Sequence, residues 1–297
     1  MRSRLDKWAH GCRVGRALTF AFSLAVAFGA GAQDEQPAKF AFSAVDAPTK
    51  AASAPLGGYA AGCLAGAAQL PETGPRWQAM RLSRNRNWGH PDMIAFIERL
   101  SRAAQAAGWT GLYVGDISHP RGGPMVSSHR SHQIGLDADI WLRAPDSLEL
   151  SAVEREKISS PSMVAANRLQ VNGNWTGMHS EIIEAAARDE AVARIFVNSA
   201  IKRRLCESGG EGDADWLRKV RPWWGHDSHF HVRLHCPDEG ACIDQEAPPE
   251  GDGCNEELDW WFTDEALYPP PRAPEDQPPE VMMADLPAAC QGVLEGE

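Results

Sequence analysis

Five of the ten histidines of this 297-residue chain stand in two short segments, Ser128-His129-Arg130-Ser131-His132-Gln133-Ile134-Gly135-Leu136-Asp137-Ala138-Asp139 and Gly225-His226-Asp227-Ser228-His229-Phe230-His231. Imidazole and carboxylate groups are common donors to zinc (Zn2+), and a catalytic zinc site takes three such protein donors and leaves one position open. His132, Asp139 and His231 supply two imidazoles and one carboxylate. His229, on the same strand face as His231, then stands beside the open position rather than on the ion, where a general base or a hydrogen-bond donor to developing charge is wanted.

The positions of these residues follow from local pattern. Gly135 permits a turn after His132, and Leu136-Asp137-Ala138-Asp139-Ile140 alternates apolar and polar. Leu136, Ala138 and Ile140 therefore share the core face of a strand while Asp139 points the other way, toward a cleft, with Asp137 on its side. Phe230, Val232 and Leu234 alternate with His229, His231 and Arg233, so the histidine pair is displayed on one face of a second strand. A lone histidine on a strand is ordinarily a surface residue or a satisfied core residue. Two clusters on separate strand-like segments are what favour a metal. The helical His-Glu-x-x-His signature is absent from the chain, which disfavours a zincin-type protease.

The runs SSHRSHQIGLDADIWL and WLRKVRPWWGHDSHFHVRLHCP, with ARIFVNSAIKRRLC between them, resemble the penicillin-insensitive murein endopeptidase family. These are periplasmic metallopeptidases of the group that includes lysostaphin-type and D-Ala-D-Ala metallopeptidases. The resemblance extends from about Cys63 to Cys290. It implies zinc at the positions of His132, Asp139 and His231, with His129 sometimes counted as a further ligand, and catalytic or site-lining roles for His226 and His229. His129 is placed beside the ligands rather than among them, because an open position must remain. The substrate implied is cross-linked stem peptides of peptidoglycan, cut at the D-alanyl to meso-diaminopimelyl amide. Some family members carry a second metal on an Asp and a His after the first motif. The corresponding stretch here, Val171-Asn172-Gly173-Asn174-Trp175, lacks that pair, so one zinc is expected and His179 is read as structural.

The first residues read as a secretory signal. Arg2, Arg4, Lys7, Arg13 and Arg16 precede an apolar run from Ala17 to Gly29, and Ala30-Gly31-Ala32 fits a cleavage site. That run is too short for a permanent membrane anchor. Loss of residues 1–32 removes five basic residues and Asp6, a net +4, and takes the formal charge from −11 to −15. An acidic chain with no basic tract is a poor nucleic-acid binder. A monomer and a homodimer are both compatible with the sequence.

Six of the seven cysteines follow the signal, an even number that argues for disulfides in an exported chain. The resemblance implies the pairs Cys63–Cys290, Cys206–Cys254 and Cys236–Cys242. Expected elements are helices over 91–107, 180–191 and 200–207, the helix over 91–107 carrying Ile94, Ile97, Leu100, Ala104 and Ala107 on one face. Strands are expected at 112–114 and 195–197. The fold class is α+β, a single domain whose central antiparallel sheet carries the zinc site, flanked by helices and loops and stapled by disulfides. Residues 1–32 form the signal, 33–54 a loosely ordered segment, 55–268 the metallopeptidase domain and 269–297 a proline-rich strap, since Tyr268 to Glu280 holds six prolines in thirteen residues. Trp260-Trp261-Phe262 reads as core packing, whereas Trp223 and Trp224, just ahead of His226, read equally as packing or as a rim for a peptide stem. The Ser-x-x-Lys match at Ser199 and Lys202 has no partner motif and reads as chance. Beside the endopeptidase stand two alternatives: a D,D-carboxypeptidase trimming terminal D-alanine, and a non-catalytic zinc- or wall-binding protein.

Overall fold

The two motif-bearing segments form the middle of one sheet. In a computed structural model of the chain, which describes residues 36–127, 129–210, 213–237, 241–273 and 276–297, Asp137–Trp141 pairs antiparallel with His229–Leu234, placing His231 opposite Asp139 and Arg233 opposite Asp137. The signal segment and Ser128 lie outside the described residues. The strand order across this seven-stranded sheet is Val220–Pro222, Val192–Val197, His229–Leu234, Asp137–Trp141, Leu112–Val114, Trp77–Ala79 and Thr73–Gly74. Its four central strands are antiparallel, and a parallel pairing joins the next strand on either side. The expected central antiparallel sheet is thus present within a mixed one.

One face of the sheet is covered by helices. Ala138, Ile140, Phe230, Val232 and Ile195 are wholly buried against a core that includes Phe96, Ile97, Leu100, Ile182 and Ile183. The helix Pro91–Ala106 buries Met93, Phe96, Ile97, Leu100, Ser101 and Ala104, while Ile94 is only partly buried. Its inward stripe is therefore turned from the expected one. Proline at its first position and Gly108 beyond its end bound it as the sequence suggests. The helix expected at 180–191 instead spans Gly177–Arg188. His179 Nδ1 accepts from the Thr176 amide at 3.0 Å and its Nε2 donates to the Leu142 carbonyl at 2.9 Å, which starts the helix at Thr176 and makes His179 structural. At the other end Asp189 accepts from the Ala191 amide and from Arg99, diverting the chain into the strand Val192–Val197.

A smaller layer ties the chain ends together. Residues 36–54 are not loose: Ala38–Ser43 is a helix whose Phe42 is fully buried with Cys63, Met283, Leu286, Cys290 and Val293. Composition hid this, because one phenylalanine gives a short mixed segment its anchor. The pairs Cys63–Cys290, Cys206–Cys254 and Cys236–Cys242 are all formed, and the first fastens the C-terminal helix Ala289–Glu295 onto the strand Ala61–Ala65. Among the described residues no helix is long and apolar enough to cross a membrane.

Candidate metal centre

The site grows from the middle of the two central strands. Asp139 and His231 are direct cross-strand neighbours, so their side chains stand side by side on the face away from the helices. Asp139 Oδ1 lies 3.2 Å from His231 Nδ1, 3.4 Å from His132 Nε2 and 3.7 Å from His229 Nε2. His129 Nε2 approaches the other oxygen, Oδ2, at 3.8 Å. Four imidazoles thus converge on one carboxylate. Among the described residues His129, His132 and Asp139 form the tightest donor group, with one donor atom of each within 4.8 Å of the others. His231 falls outside that strict group but reaches the same carboxylate from the neighbouring strand.

His132 is brought there by a left-handed turn. Its φ is 68° and that of Gly135 is 70°. A Cβ on Gly135 would stand 2.4 Å from Leu64 Cδ2 and 2.8 Å from the His90 amide nitrogen, so the turn has room for glycine alone. The Gln133 side chain stitches the turn to the preceding hairpin through the Gly62 amide and the Ala60 carbonyl.

Hydrogen bonds to the far side of each ring set which nitrogen is free. His132 Nδ1 is 2.8 Å from the Ile117 carbonyl and must donate to it, leaving Nε2 to face Asp139. That Nε2 is buried and has no hydrogen-bond partner. His231 Nε2 donates to Asp137 Oδ1 at 2.9 Å, leaving its Nδ1 free on the Asp139 side. An orphaned buried ring nitrogen, a second imidazole nitrogen and a carboxylate facing one point fit a divalent cation, which would take the place of the proton. Without a cation, burial works against charging His132, yet the carboxylates of Asp139, Asp137 and Asp116 outweigh it and lift the ring to about 9. Burial would raise Asp139, but His229 and His132 hold it well below the usual carboxylate range. The pocket therefore favours positive charge.

Two buried carboxylates surround the set. Asp137, on the same strand face as Asp139, is fully buried and binds His231, the Arg233 guanidinium at 2.8 Å and the His132 amide at 3.0 Å. It fixes both motif strands at once. Asp116 escaped sequence reading because nothing marks it in Gly115-Asp116-Ile117. Its Oδ2 accepts from Arg86 at 2.8 Å and Arg84 at 3.0 Å and lies 3.5 Å from His129 Nε2. Burial lowers His129 to about 4, so its ring stays neutral near neutral pH. Asp137→Asn should weaken metal binding about 10–100-fold, the usual cost of losing a carboxylate behind a ligating histidine. A competition titration with a chromogenic chelator reads this, and unchanged affinity would mean that Asp137 serves the fold alone.

His226 sits at the rim on a second left-handed turn, with φ 47° after Gly225 at 68°. Asn198 clamps that turn, its Nδ2 donating to the Gly225 carbonyl at 2.9 Å and its amide to the His226 carbonyl at 2.9 Å. The His226 ring centroid is 5.0 Å from that of His229 and 6.0 Å from that of His231, and burial pushes it down to about 4. The cleft between Arg81, Arg84, Asp116, Trp141 and His229 has a volume of about 220 Å3. Trp260, expected in the core, is 41% exposed and joins Trp223, Trp224 and Trp261 in a surface aromatic wall. Lys202 is buried and donates to the carbonyls of Leu217 and Asp252 at 2.8 and 2.6 Å, which makes the Ser199-Lys202 pair structural.

The fold and this geometry agree with comparisons to known proteins. A family model described as penicillin-insensitive murein endopeptidase matches residues 55–295. A protein of that name from Haemophilus influenzae is 43% identical over 245 residues, covering 82% of each chain. One from Yersinia enterocolitica is 43% identical over 242 residues, 81% of this chain and 85% of its own, and one from Salmonella paratyphi B is 41% identical over 250 residues, 84% and 88% respectively. With the match spanning both histidine motifs, the disulfide-linked layer and nearly all of the described chain, this protein belongs to the penicillin-insensitive murein endopeptidase family.

Proposed function

We propose that the protein is a zinc-dependent endopeptidase that hydrolyses D-alanyl–meso-diaminopimelyl cross-links of peptidoglycan in the periplasm. The observation that carries the metal is the buried, unpartnered Nε2 of His132 facing Asp139. Soft thiolates are absent from the group, all six described cysteines being in disulfides, and a mixed imidazole–carboxylate set with an open side suits zinc. The family membership carries the substrate. Relatives named for murein endopeptidase activity and for insensitivity to penicillin cover 82% and 81% of this chain.

His132, Asp139 and His231 would hold the ion. When bound, zinc polarises a carbonyl and makes water acidic enough to attack near neutral pH. His231 is kept in its ligating tautomer by Asp137, and His132 by the Ile117 carbonyl. His129, with its neutral ring between Asp116 and Asp139, either completes the set or orients what binds there. His229, one-quarter exposed with its Nε2 in the cleft, accepts the proton of the attacking water and returns it to the leaving amine. His226, neutral at the rim and donating through Nδ1 to the Trp224 carbonyl at 2.9 Å, presents Nε2 as an acceptor that orients substrate or water there. No serine acts as nucleophile, so β-lactams find nothing to acylate.

Chromatography of cross-linked muropeptide dimers incubated with the mature protein, with and without a chelator, tests the whole reading. Dimers should fall to monomers only when metal is present. Shortening of pentapeptide monomers with dimers left intact would establish the D,D-carboxypeptidase instead, and absence of turnover with metal bound would leave a binding protein. For the division of roles, His229→Ala should keep about one metal per chain while turnover drops about 10²–10⁴-fold, the usual worth of general acid–base help. A metal-free variant would make His229 a ligand.

A further inference from the structure

Beside the turn that carries His226 lies a second cavity, of about 430 Å3, that the cleavage chemistry does not use. One wall is aromatic. Trp224 and Trp261 pack at 4.7 Å between ring centroids and Trp223 and Trp224 at 5.4 Å, while the Trp224 indole N–H donates to the Ala266 carbonyl at 3.0 Å and so fixes the ring. Trp223 and Trp224 remain 49% and 40% exposed. Asp227 and Arg168 also line the cavity. The Asp227 main-chain carbonyl accepts from the Met163 amide at 2.7 Å, but its carboxylate has no side-chain partner among the described residues. Arg168 donates one nitrogen to the Leu267 carbonyl and lies over the Tyr268 ring at 4.9 Å, leaving further donors of its fork unassigned.

A carboxylate with no side-chain partner among the described residues, lining the same cavity as Trp223 and Trp224, favours an ammonium, since carboxylate and indole both attract positive charge. A guanidinium lining the same space favours a carboxylate. We propose that this cavity is a subsite for a free zwitterionic amino-acid terminus, the ammonium taken by Asp227 with Trp223 and Trp224 and the carboxylate by Arg168. The inference rests on the peptidoglycan reading above and names its substrate more closely. Diaminopimelate carries two amino-acid centres. In a cross-link the acceptor stem has spent its side-chain amine in the scissile amide, whereas the donor stem keeps an intact ammonium and carboxylate on the residue just before the D-alanine. Gly225 and Asp227 line the cavity while Ser228 and His229, next along the chain, line the cleft, so the donor side chain would occupy one and the scissile carbonyl the other. Capture there selects donor stems whose side chain is still free.

The test is binding, read by tryptophan fluorescence and calorimetry on the metal-loaded mature protein. The probe is the tetrapeptide L-Ala-γ-D-Glu-meso-diaminopimelyl-D-Ala, which lacks the scissile cross-link. Acetylation of its side-chain amine should weaken binding about tenfold or more, the worth of one charge-assisted contact. Replacement of diaminopimelate by lysine, which keeps the ammonium and loses the carboxylate, should weaken it by about three- to tenfold on the same scale. Asp227→Asn should abolish the sensitivity to acetylation, and Arg168→Gln the preference over lysine. Equal affinity for free and acetylated tetrapeptide overturns the proposal, as does an Asp227→Asn variant that still discriminates, or preferential binding of an N-acetylglucosaminyl-N-acetylmuramic acid disaccharide. Should a variant fail to fold, the wild-type comparison of the probes decides alone. Discriminating binding without cleavage of dimers would keep the subsite and refute the endopeptidase reading. Cleavage without discrimination would do the reverse.

Discussion

Asp139→Ala and His132→Ala should each leave the protein without tightly held metal and without measurable cleavage of muropeptide dimers. The reason is the geometry around one oxygen. Asp139 Oδ1 is the point on which His231 Nδ1, His132 Nε2 and His229 Nε2 converge at 3.2, 3.4 and 3.7 Å, so its removal takes away the carboxylate at the centre of the clustered imidazoles. His132→Ala removes a buried ring nitrogen that faces Asp139 and has no hydrogen-bond partner. Metal-ion polarisation is worth several kcal/mol of barrier, so turnover should fall about 10³-fold or more. Elemental analysis after dialysis, run beside the dimer assay, reads both effects. A variant that lost activity but kept its metal would move Asp139 from ligand to orienting group. The fold should survive, because Ala138 and Ile140 still pack on the helices beneath.

Cys290→Ser should give the largest loss of stability with the least effect on chemistry. The Cys63–Cys290 bridge closes a separation of 227 residues, and in the chain-entropy model a loop of that length restricts the unfolded chain by about 5 kcal/mol before native strain is subtracted. For a domain of this size that corresponds to a drop in Tm of roughly 10–20 °C. The bridge also sits at the centre of the small core that holds Phe42, Met283, Leu286 and Val293, so residues 36–54 and the C-terminal helix should become protease-sensitive together. The metal site stands on the separate main core, and cleavage at 25 °C should stay near wild type. Unchanged Tm under non-reducing conditions would show that packing alone secures the two ends. Loss of metal on reduction of this one bridge would show that the two layers fold as one unit.

Much of the site was legible because strand alternation is a local property. The period of two assigned Asp139 to the cleft and His229 and His231 to a shared face, and Gly135 marked the turn that delivers His132. The family resemblance carried the disulfide pairing, which the structure reproduces. The helix over 91–107 was bounded correctly by Pro91 and Gly108, since both act through their own backbone. The helix at Gly177 was not, because its start depends on a hydrogen bond from His179 to Leu142, thirty-seven positions away in the chain.

What remained hidden depended on register and on contacts between distant segments. Chain order alone does not say that His231 stands opposite Asp139, or that Asp137 meets both His231 and Arg233 across the same ladder. The burial of Asp137, which makes that carboxylate the anchor of two motifs, is a property of packing. Asp116 became visible only when its loop was folded against Arg84, Arg86 and His129. Trp260 and Trp261 read as core in the sequence, and only the tertiary arrangement packs them edge-on and tilted against Trp224 and Trp223 at the surface. Residue type and spacing select which groups are able to bind a cation. Which nitrogen carries the free lone pair is decided by the partner on the far side of each ring, and that partner comes from elsewhere in the fold.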